Sequence, residues 1–261
     1  MENLLFIIHI INLHLLNEIK YEILRMTVRL DGRKYDEIRK TSIQRNYLKY
    51  PEGSVLITQG NTKVIVTASV LENVPRFLEN TGTGWITAEY NMLPRATQTR
   101  SNRDKGRGRT FEIQRLIGRS IRAAFNYEKI GERTIRIDCD VIQADGGTRC
   151  ASITGSFIAV FDALKYLYNE QLIYEFPSYK ITAAISVGIK NDEVLLDLDY
   201  SEDSKVDVDF NIVMNENLEY IELQGTAEGA TFNKTFLNEV LKLGEKGISE
   251  LIQIQKNELN L

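Results

Sequence analysis

The chain has 261 residues, of which 43% are hydrophobic and 26% are charged, and its formal net charge is −4. This composition excludes a largely disordered chain and a small scaffold that needs disulfides. It also excludes nucleic-acid binding through bulk charge, so any such site has to be a local basic patch. Both histidines, His9 and His14, lie near the N-terminus, which excludes histidine catalysis in the rest of the chain.

The N-terminal residues 1–26 are treated as an extension that precedes a catalytic body of residues 27–261. Residues 4–16 are rich in Leu and Ile, but this run is too short to span a membrane. It lacks the positive flank and the small-residue cleavage site of a signal peptide. We expect translation to begin at Met26, with an over-called reading frame upstream. An amphipathic or interfacial extension is the alternative.

The two cysteines, Cys139 and Cys150, are too few and wrongly spaced for a structural zinc site or a disulfide framework. We expect both to be small buried residues, since free cysteine is usually packed in the core. A reducing, cytoplasmic location and no membrane association are therefore predicted.

The first half of the body alternates strand-like and helix-like segments. After a polar stretch to Tyr50, alternation and turn residues predict strands over 54–59, 63–70, 85–93 and 134–143. Helical periodicity predicts helices over 111–125 and 150–168. The second half repeats this style, with strands over 181–189, 194–198, 208–213 and 220–224 and a helix over about 234–254. We predict one α/β (α+β) domain of two similar β–α halves.

A basic segment stands out in this acidic chain, because only Asp104 and Glu112 oppose its positive charges. Guanidinium groups bind phosphate bidentately, so an arginine-rich loop that leads into an arginine-bearing helix is suited to a nucleic-acid backbone. A solvated charged face, or ion pairs between subunits, is the alternative for the helix. The basic residues are Arg95, Arg100, Arg103, Lys105, Arg107, Arg109, Arg115, Arg119 and Arg122.

A candidate phosphate cradle follows the strand predicted over 134–143. The sequence ADGGTR at 144–149 places two glycines at the end of a strand and a hydroxyl and a guanidinium at the start of a helix. Free amides at a helix N-terminus bind anions. The ending of a Walker loop is absent, and an ordinary turn is the alternative.

A cluster of carboxylates follows in the second half. Closely held carboxylates bind Mg²⁺ beside phosphates and transfer protons, so the cluster is a candidate metal or catalytic site. A solvated acidic loop is the alternative. Its members are Asp197, Asp199, Glu202, Asp203, Asp207 and Asp209.

These segments resemble the ribonuclease PH family of phosphate-dependent 3′→5′ exoribonucleases. The resemblance covers roughly residues 29–255 and is carried by several long motifs in the same order. They are RLDGR at 29–33, GWITAEY at 84–90, LPR at 93–95, GRTFEIQRLI at 108–117, DCDVIQADGGTRCASITG at 138–155 and ELQGTAEG at 222–229. One departure is Cys150, where the family usually has threonine.

The resemblance implies a ribosomal protein S5 domain 2-like fold and a homohexameric ring, a trimer of dimers. It implies removal of nucleotides from the 3′ ends of tRNA precursors, with inorganic phosphate as co-substrate, Mg²⁺ as cofactor and nucleoside 5′-diphosphates as products. By residue, it implies phosphate binding at Arg109, Gly147, Thr148 and Arg149, catalysis or metal binding at Asp203 and Asp209, and RNA binding at Arg95, Arg100 and Arg103.

Two other functions remain open at this point. One is a non-catalytic, RNA-binding subunit of an exosome-like ring, a class that tends to lose the phosphate-site arginines or the acidic pair. This chain keeps Arg109, Arg149, Asp203 and Asp209, which favours an enzyme. The other is a hydrolytic nuclease, which a test of phosphate dependence separates from the phosphorolytic enzyme.

Overall fold

The strands of the first half form a five-stranded sheet of order β1-β2-β3-β5-β4. The computed structural model describes residues 29–102 and 108–261, so the extension over residues 1–26 lies outside the described residues. β4 pairs with β5 in parallel and the other neighbours are antiparallel. The strands are β1 (Thr41–Arg45), β2 (Gly53–Gln59), β3 (Thr62–Leu71), β4 (Trp85–Met92) and β5 (Thr134–Gln143).

The strands of the second half form an antiparallel four-stranded sheet of order β7-β6-β8-β9. β6 is buried along almost its whole length, because it lies in the interior of this sheet and two long helices contact it. The strands are β6 (Thr182–Lys190), β7 (Glu193–Leu196), β8 (Val208–Asn215) and β9 (Tyr220–Ala227).

The longer helices cover the sheets. α1 (Gly108–Ala124) packs on β4, and α2 (Thr148–Asn169) lies between the sheets against β2, β3 and β6. α3 (Tyr200–Asp203) is a single turn, and α4 (Lys234–Leu259) packs on β6 and β7. α2 is long and apolar enough to cross a membrane, but 89% of its apolar window is buried inside the protein, which is the position of a core helix.

The predicted alternation of strands and helices is confirmed, with two corrections. The polar stretch before Tyr50 contains β1, which sequence alternation missed because Ile43 is its one buried residue and the strand lies at the sheet edge. The connection between β7 and β8 contains α3, where only a strand-to-strand connection was expected. Asp199 caps this turn by accepting a hydrogen bond from the backbone nitrogen of Glu202.

Candidate active site

The turn predicted to bind phosphate lies between β5 and α2. Gly146 and Gly147 both have left-handed backbone conformations, with φ of 77° and 63°, which glycine adopts without steric cost. Gly147 is the N-cap residue of α2 and no side chain caps it. The first amides of α2, which begins at Thr148, are therefore available to an anion.

Side chains from the first sheet and from α2 shape this turn. The Thr62 hydroxyl accepts a hydrogen bond from the Asp145 nitrogen at 2.9 Å and donates one to the Gly146 carbonyl at 2.7 Å. The hydroxyls of Tyr90 and Thr148 lie 2.9 Å apart and share a hydrogen bond. Burial raises the pKa of Tyr90 to about 12, so this phenol stays neutral.

A cavity of about 300 Å³ opens beside the turn. Arg149 donates to the side-chain oxygen of Gln224 at 3.4 Å, and Gln224 donates to Glu112 at 2.8 Å. The start of α1 and the start of α2 therefore meet at one cavity, and each contributes an arginine to it. The lining residues are Arg109, Glu112, Ile113, Leu116, Arg149 and Gln224.

The six carboxylates of the acidic cluster divide into groups. Asp197 accepts two side-chain hydrogen bonds from Arg39, and Glu202 pairs with Arg29. Asp199 caps α3, and Asp207 accepts a hydrogen bond from a backbone nitrogen. These four take part in hydrogen bonds or ion pairs within the fold. Asp203 and Asp209 remain as the candidate pair.

The pKa values of Asp203 and Asp209 are both raised, and both are affected by the charges of the two cavity arginines. Burial raises the pKa of Asp203, and the charge of Asp209 raises it further, while Arg149 and Arg109 oppose the shift. Burial also raises the pKa of Asp209, against the charge of Arg149 and a hydrogen bond from Asn211. The positive charges of Arg109 and Arg149 therefore act on both carboxyls.

One oxygen of Asp209 has no partner among the described residues. Its Oδ2 accepts a hydrogen bond from Asn211 at 3.2 Å, while its Oδ1 is buried and makes no hydrogen bond with any of residues 29–102 and 108–261. A buried acceptor without a partner is costly unless a ligand or ion satisfies it. Among the described residues no group of three or more His, Cys, Asp or Glu side chains could hold a metal. A cation here would have to take further ligands from substrate or water.

The loop over residues 94–102 is joined to the turn between β5 and α2, because the Ala144 nitrogen donates to the Ala96 carbonyl at 2.8 Å. Arg95 and Arg100 are exposed and form no ion pair with a described residue. Arg103, also predicted to bind RNA, lies outside the described residues. Arg95 donates to the Gln98 carbonyl at 2.9 Å and Arg100 to the Asn102 side chain at 3.4 Å, so the described part of the loop presents two exposed guanidinium groups whose hydrogen bonds are local.

The arginines of α1 do not all face one ligand. Arg122 lies 4.4 Å from the centre of the Trp85 ring and donates to the Ile86 carbonyl, so it belongs to the packing of α1 on β4. Arg119 pairs with Glu222 at 2.9 Å. The alternative of ordinary structural ion pairs and packing therefore applies to these two residues.

Several residues of the site were not predicted individually. Gln224, Glu112 and Tyr90 line the cavity or support the turn, and Asn211 orients Asp209. Three of the four fall inside the motifs quoted above. For those three the motifs themselves were the available signal.

The fold and this arrangement define a class of protein, the enzymes that bind and exchange phosphate groups. Models of the 3′ exoribonuclease family match residues 37–165 (domain 1) and 180–247 (domain 2). The chain is 56% identical to ribonuclease PH of Bacillus pumilus (strain SAFR-032) over 234 residues, which cover 88% of this chain and 97% of that protein. The chain belongs to the ribonuclease PH family of 3′ exoribonucleases.

Solved structures agree on the fold. The Archaeoglobus fulgidus exosome with RNA bound to the active site gives a TM-score of 0.76 at 23% identity, covering 92% of this chain and 98% of that chain. An archaeal exosome core gives 0.72 at 22% identity, covering 90% and 94%. The predicted family, the α/β fold and the phosphate-dependent 3′→5′ exoribonuclease activity are thereby confirmed.

Proposed function

We propose that this chain shortens the 3′ ends of tRNA precursors at the cavity between α1 and α2, and that residues 27–261 form the catalytic domain. Phosphate is held by Arg109 and by Gly147, Thr148 and Arg149 of the turn. The observation that carries this assignment is that both arginines line one cavity at the uncapped N-terminus of α2. Positive side chains and free amides converge there, as anion binding requires.

The chemistry follows from this placement. An oxygen of the bound phosphate attacks the phosphorus of the last phosphodiester, and a new P–O bond forms. The bond from that phosphorus to the 3′ oxygen of the preceding nucleotide breaks, which releases a nucleoside 5′-diphosphate. The leaving 3′ oxygen takes up a proton, for which we propose Asp203 or Asp209 in its protonated form as the donor, or a water molecule when both carboxylates bind a metal ion. Arg109 and Arg149 stabilise the charge that develops on the phosphate oxygens.

Mg²⁺ fits the same pair of carboxylates. The Oδ1 of Asp209, which has no partner among the described residues, and the Asp203 carboxyl supply two hard oxygen donors. Protein-bound Mg²⁺ commonly uses one or two carboxylates, with substrate phosphates as the other ligands. When bound, the ion would neutralise charge on the reacting phosphates. Removing it with a chelator is expected to abolish turnover and to leave the fold intact.

Arg95, Arg100 and Arg103 are proposed to guide RNA to the cavity. The first two are exposed and free of ion pairs with described residues, and the loop that carries them is bonded to the turn. Exposed arginines of this kind bind the phosphate backbone without reading sequence. Structural relatives named as exosome assemblies support a ring-shaped assembly, and we propose a homohexamer of three dimers. We also propose that the protein is cytoplasmic and does not associate with a membrane.

The activity is tested with a tRNA that bears extra 3′ nucleotides, incubated with Mg²⁺ in the presence and absence of phosphate. Nucleoside 5′-diphosphates that appear only with phosphate are the expected products. Nucleoside monophosphates formed without phosphate would mean a hydrolytic nuclease. A folded protein that binds RNA but forms no product would mean a non-catalytic ring subunit.

The phosphate-binding role is tested by Arg109→Ala and Arg149→Ala. Each removes a guanidinium from the cavity and is expected to lower the rate of phosphorolysis by about 10²-fold or more, as the loss of one preorganised donor does. Arg119→Ala is the matched control, because Arg119 lies on the same helix but pairs with Glu222. Near-normal phosphorolysis by either cavity variant would contradict the assignment.

A further inference from the structure

We propose that Arg39 and Thr62 are positioning residues that hold the phosphate-binding turn in place against the segment leading to Asp203. This inference rests on the function proposed above. Neither residue lines the cavity. They bind main-chain atoms of the turn. They therefore affect phosphate binding through the position of the turn and not through contact with phosphate.

Arg39 is buried, with 4% of its surface exposed, and its guanidinium connects two distant parts of the chain. Nη1 donates to the Asp145 carbonyl at 2.6 Å and, at 3.4 Å, to the Gly146 carbonyl. Nε and Nη2 donate to the two carboxylate oxygens of Asp197 at 3.0 and 2.7 Å, and the backbone nitrogen of Arg39 donates to Asp197 at 2.7 Å. One side chain thus joins the turn to the acidic segment.

Thr62, the first residue of β3, forms further hydrogen bonds with the main chain of the turn. Its hydroxyl is fully buried and uses both of its hydrogen-bonding functions on consecutive residues, as an acceptor for Asp145 and a donor to Gly146. The main chain immediately before Gly147 is therefore bonded on both sides. Because Gly147 occupies the N-cap position of α2, the positions of Asp145 and Gly146 set where the first amides of α2 point.

The other end of the connection leads to the acidic pair. Two residues after Asp197, Asp199 caps α3, the helical turn that ends at Asp203. The contact between the two segments has no spare room, since a Cβ on Gly146 would lie 2.5 Å from the Leu198 carbonyl oxygen. A displacement of the turn therefore changes its distance from the segment that carries Asp203.

Arginine is required at position 39 because one planar group has to serve a carboxylate and a carbonyl together. Burial alone would raise the pKa of Asp197, but the charge and hydrogen bonds of Arg39 hold it below its ordinary value, so the pair is ionised. Lysine keeps the charge but, as a point-like donor, it cannot reproduce the fork. Arg39→Lys should therefore release the turn and preserve the net charge.

Arg45→Lys is the matched control. Arg45 also binds a buried carboxylate, that of Asp162, through Nε and Nη2, and donates to the Glu258 carbonyl through Nη1 at 2.7 Å. Asp162 lies about 21 Å along α2 from Thr148, at 1.5 Å per residue. Both substitutions remove the same kind of fork, but only one of them is next to the turn.

The test measures KM for phosphate, kcat, the Kd for RNA without phosphate and the Tm of each variant. Arg39→Lys is expected to raise KM for phosphate at least about tenfold, by analogy with the loss of a residue that orients a metal ligand, with the Kd for RNA unchanged. Arg45→Lys is expected to lower Tm and to leave KM unchanged. An unchanged KM in Arg39→Lys, or an equal rise in both variants, would overturn the inference.

Thr62→Val keeps the inference testable if Arg39→Lys does not fold. This variant removes only the hydroxyl, and a rise of several-fold in KM for phosphate is expected; an unchanged KM would overturn the inference. Titration calorimetry with inorganic phosphate separates the two proposals. If the wild type binds phosphate but forms no nucleoside diphosphate, the proposed function is wrong. The role of Arg39 is then still decided by whether the Kd for phosphate rises in Arg39→Lys and not in Arg45→Lys.

Discussion

Gly146→Ala should damage both stability and phosphorolysis, because Gly146 combines a left-handed backbone with a tight contact. Its φ is 77°, and an added Cβ would lie 2.5 Å from the Leu198 carbonyl oxygen and 2.6 Å from the Asp199 carbonyl carbon. Gly82→Ala is the matched control. Its φ is 72° and an added Cβ would meet nothing within 4 Å. It precedes β4, at the end of the sheet opposite to the turn.

Both substitutions place an alanine in a left-handed backbone conformation, but only Gly146→Ala also brings the new Cβ too close to another segment. A left-handed alanine costs about 1–2 kcal/mol in either place. At Gly146 the two backbones must also separate by about 0.9 Å to reach the 3.4 Å of ordinary contact, and overpacking of this kind adds about 1–3 kcal/mol. We therefore expect a loss of about 2–5 kcal/mol in the free energy of unfolding, against about 1–2 kcal/mol for Gly82→Ala.

The kinetic effect should follow the displacement. A shift of about 1 Å in a catalytic group costs on the order of 10²-fold in rate, so kcat/KM for phosphate should fall by about that factor in Gly146→Ala and stay near normal in Gly82→Ala. Urea unfolding and phosphorolysis of a 3′-extended tRNA measure the two effects. Equal losses in both variants would refute the argument that the turn is pressed against the 198–199 segment.

Three further predictions concern residues away from the reacting groups. The ion pair of Asp197 with Arg39 stabilises the fold above pH 3.8, and this contribution is lost as the pH falls through the lowered pKa of Asp197. The difference in free energy of unfolding between the wild type and Asp197→Asn, measured with urea, should therefore be larger at pH 7 than at about pH 3. Arg122→Gln should lose about 0.5–2 kcal/mol of stability with its cation–π contact to Trp85 and keep its RNA affinity, and weaker RNA binding would contradict the structural assignment. Both cysteines are buried, and burial raises the pKa of each thiol, so a thiol reagent should label them only after denaturation.

Local patterns were sufficient for most of the fold. The alternation of β5, with Ile135, Ile137, Cys139 and Val141 buried on one face, is visible in the sequence because successive strand residues point to opposite sides. The two glycines before α2 likewise predict a turn, since few other residues adopt two consecutive left-handed conformations. β1 was missed because an edge strand with one buried residue has no such pattern.

The roles of the individual charges depend on the tertiary structure. By sequence, Asp197 and Asp203 are similar members of one acidic cluster, yet Asp197 is bound by Arg39 from 158 positions away, while Asp203 shares the environment of Arg109 and Arg149. Likewise Arg109 lines the cavity and Arg122 packs on Trp85, although both lie on α1. The sequence by itself determined the strands, the helices, the turn and the family, because those follow from local periodicity and contiguous motifs. Which carboxylates and guanidiniums face the site was decided only by the packing of the two sheets around α2, because a charged group is assigned by the partners that surround it in space.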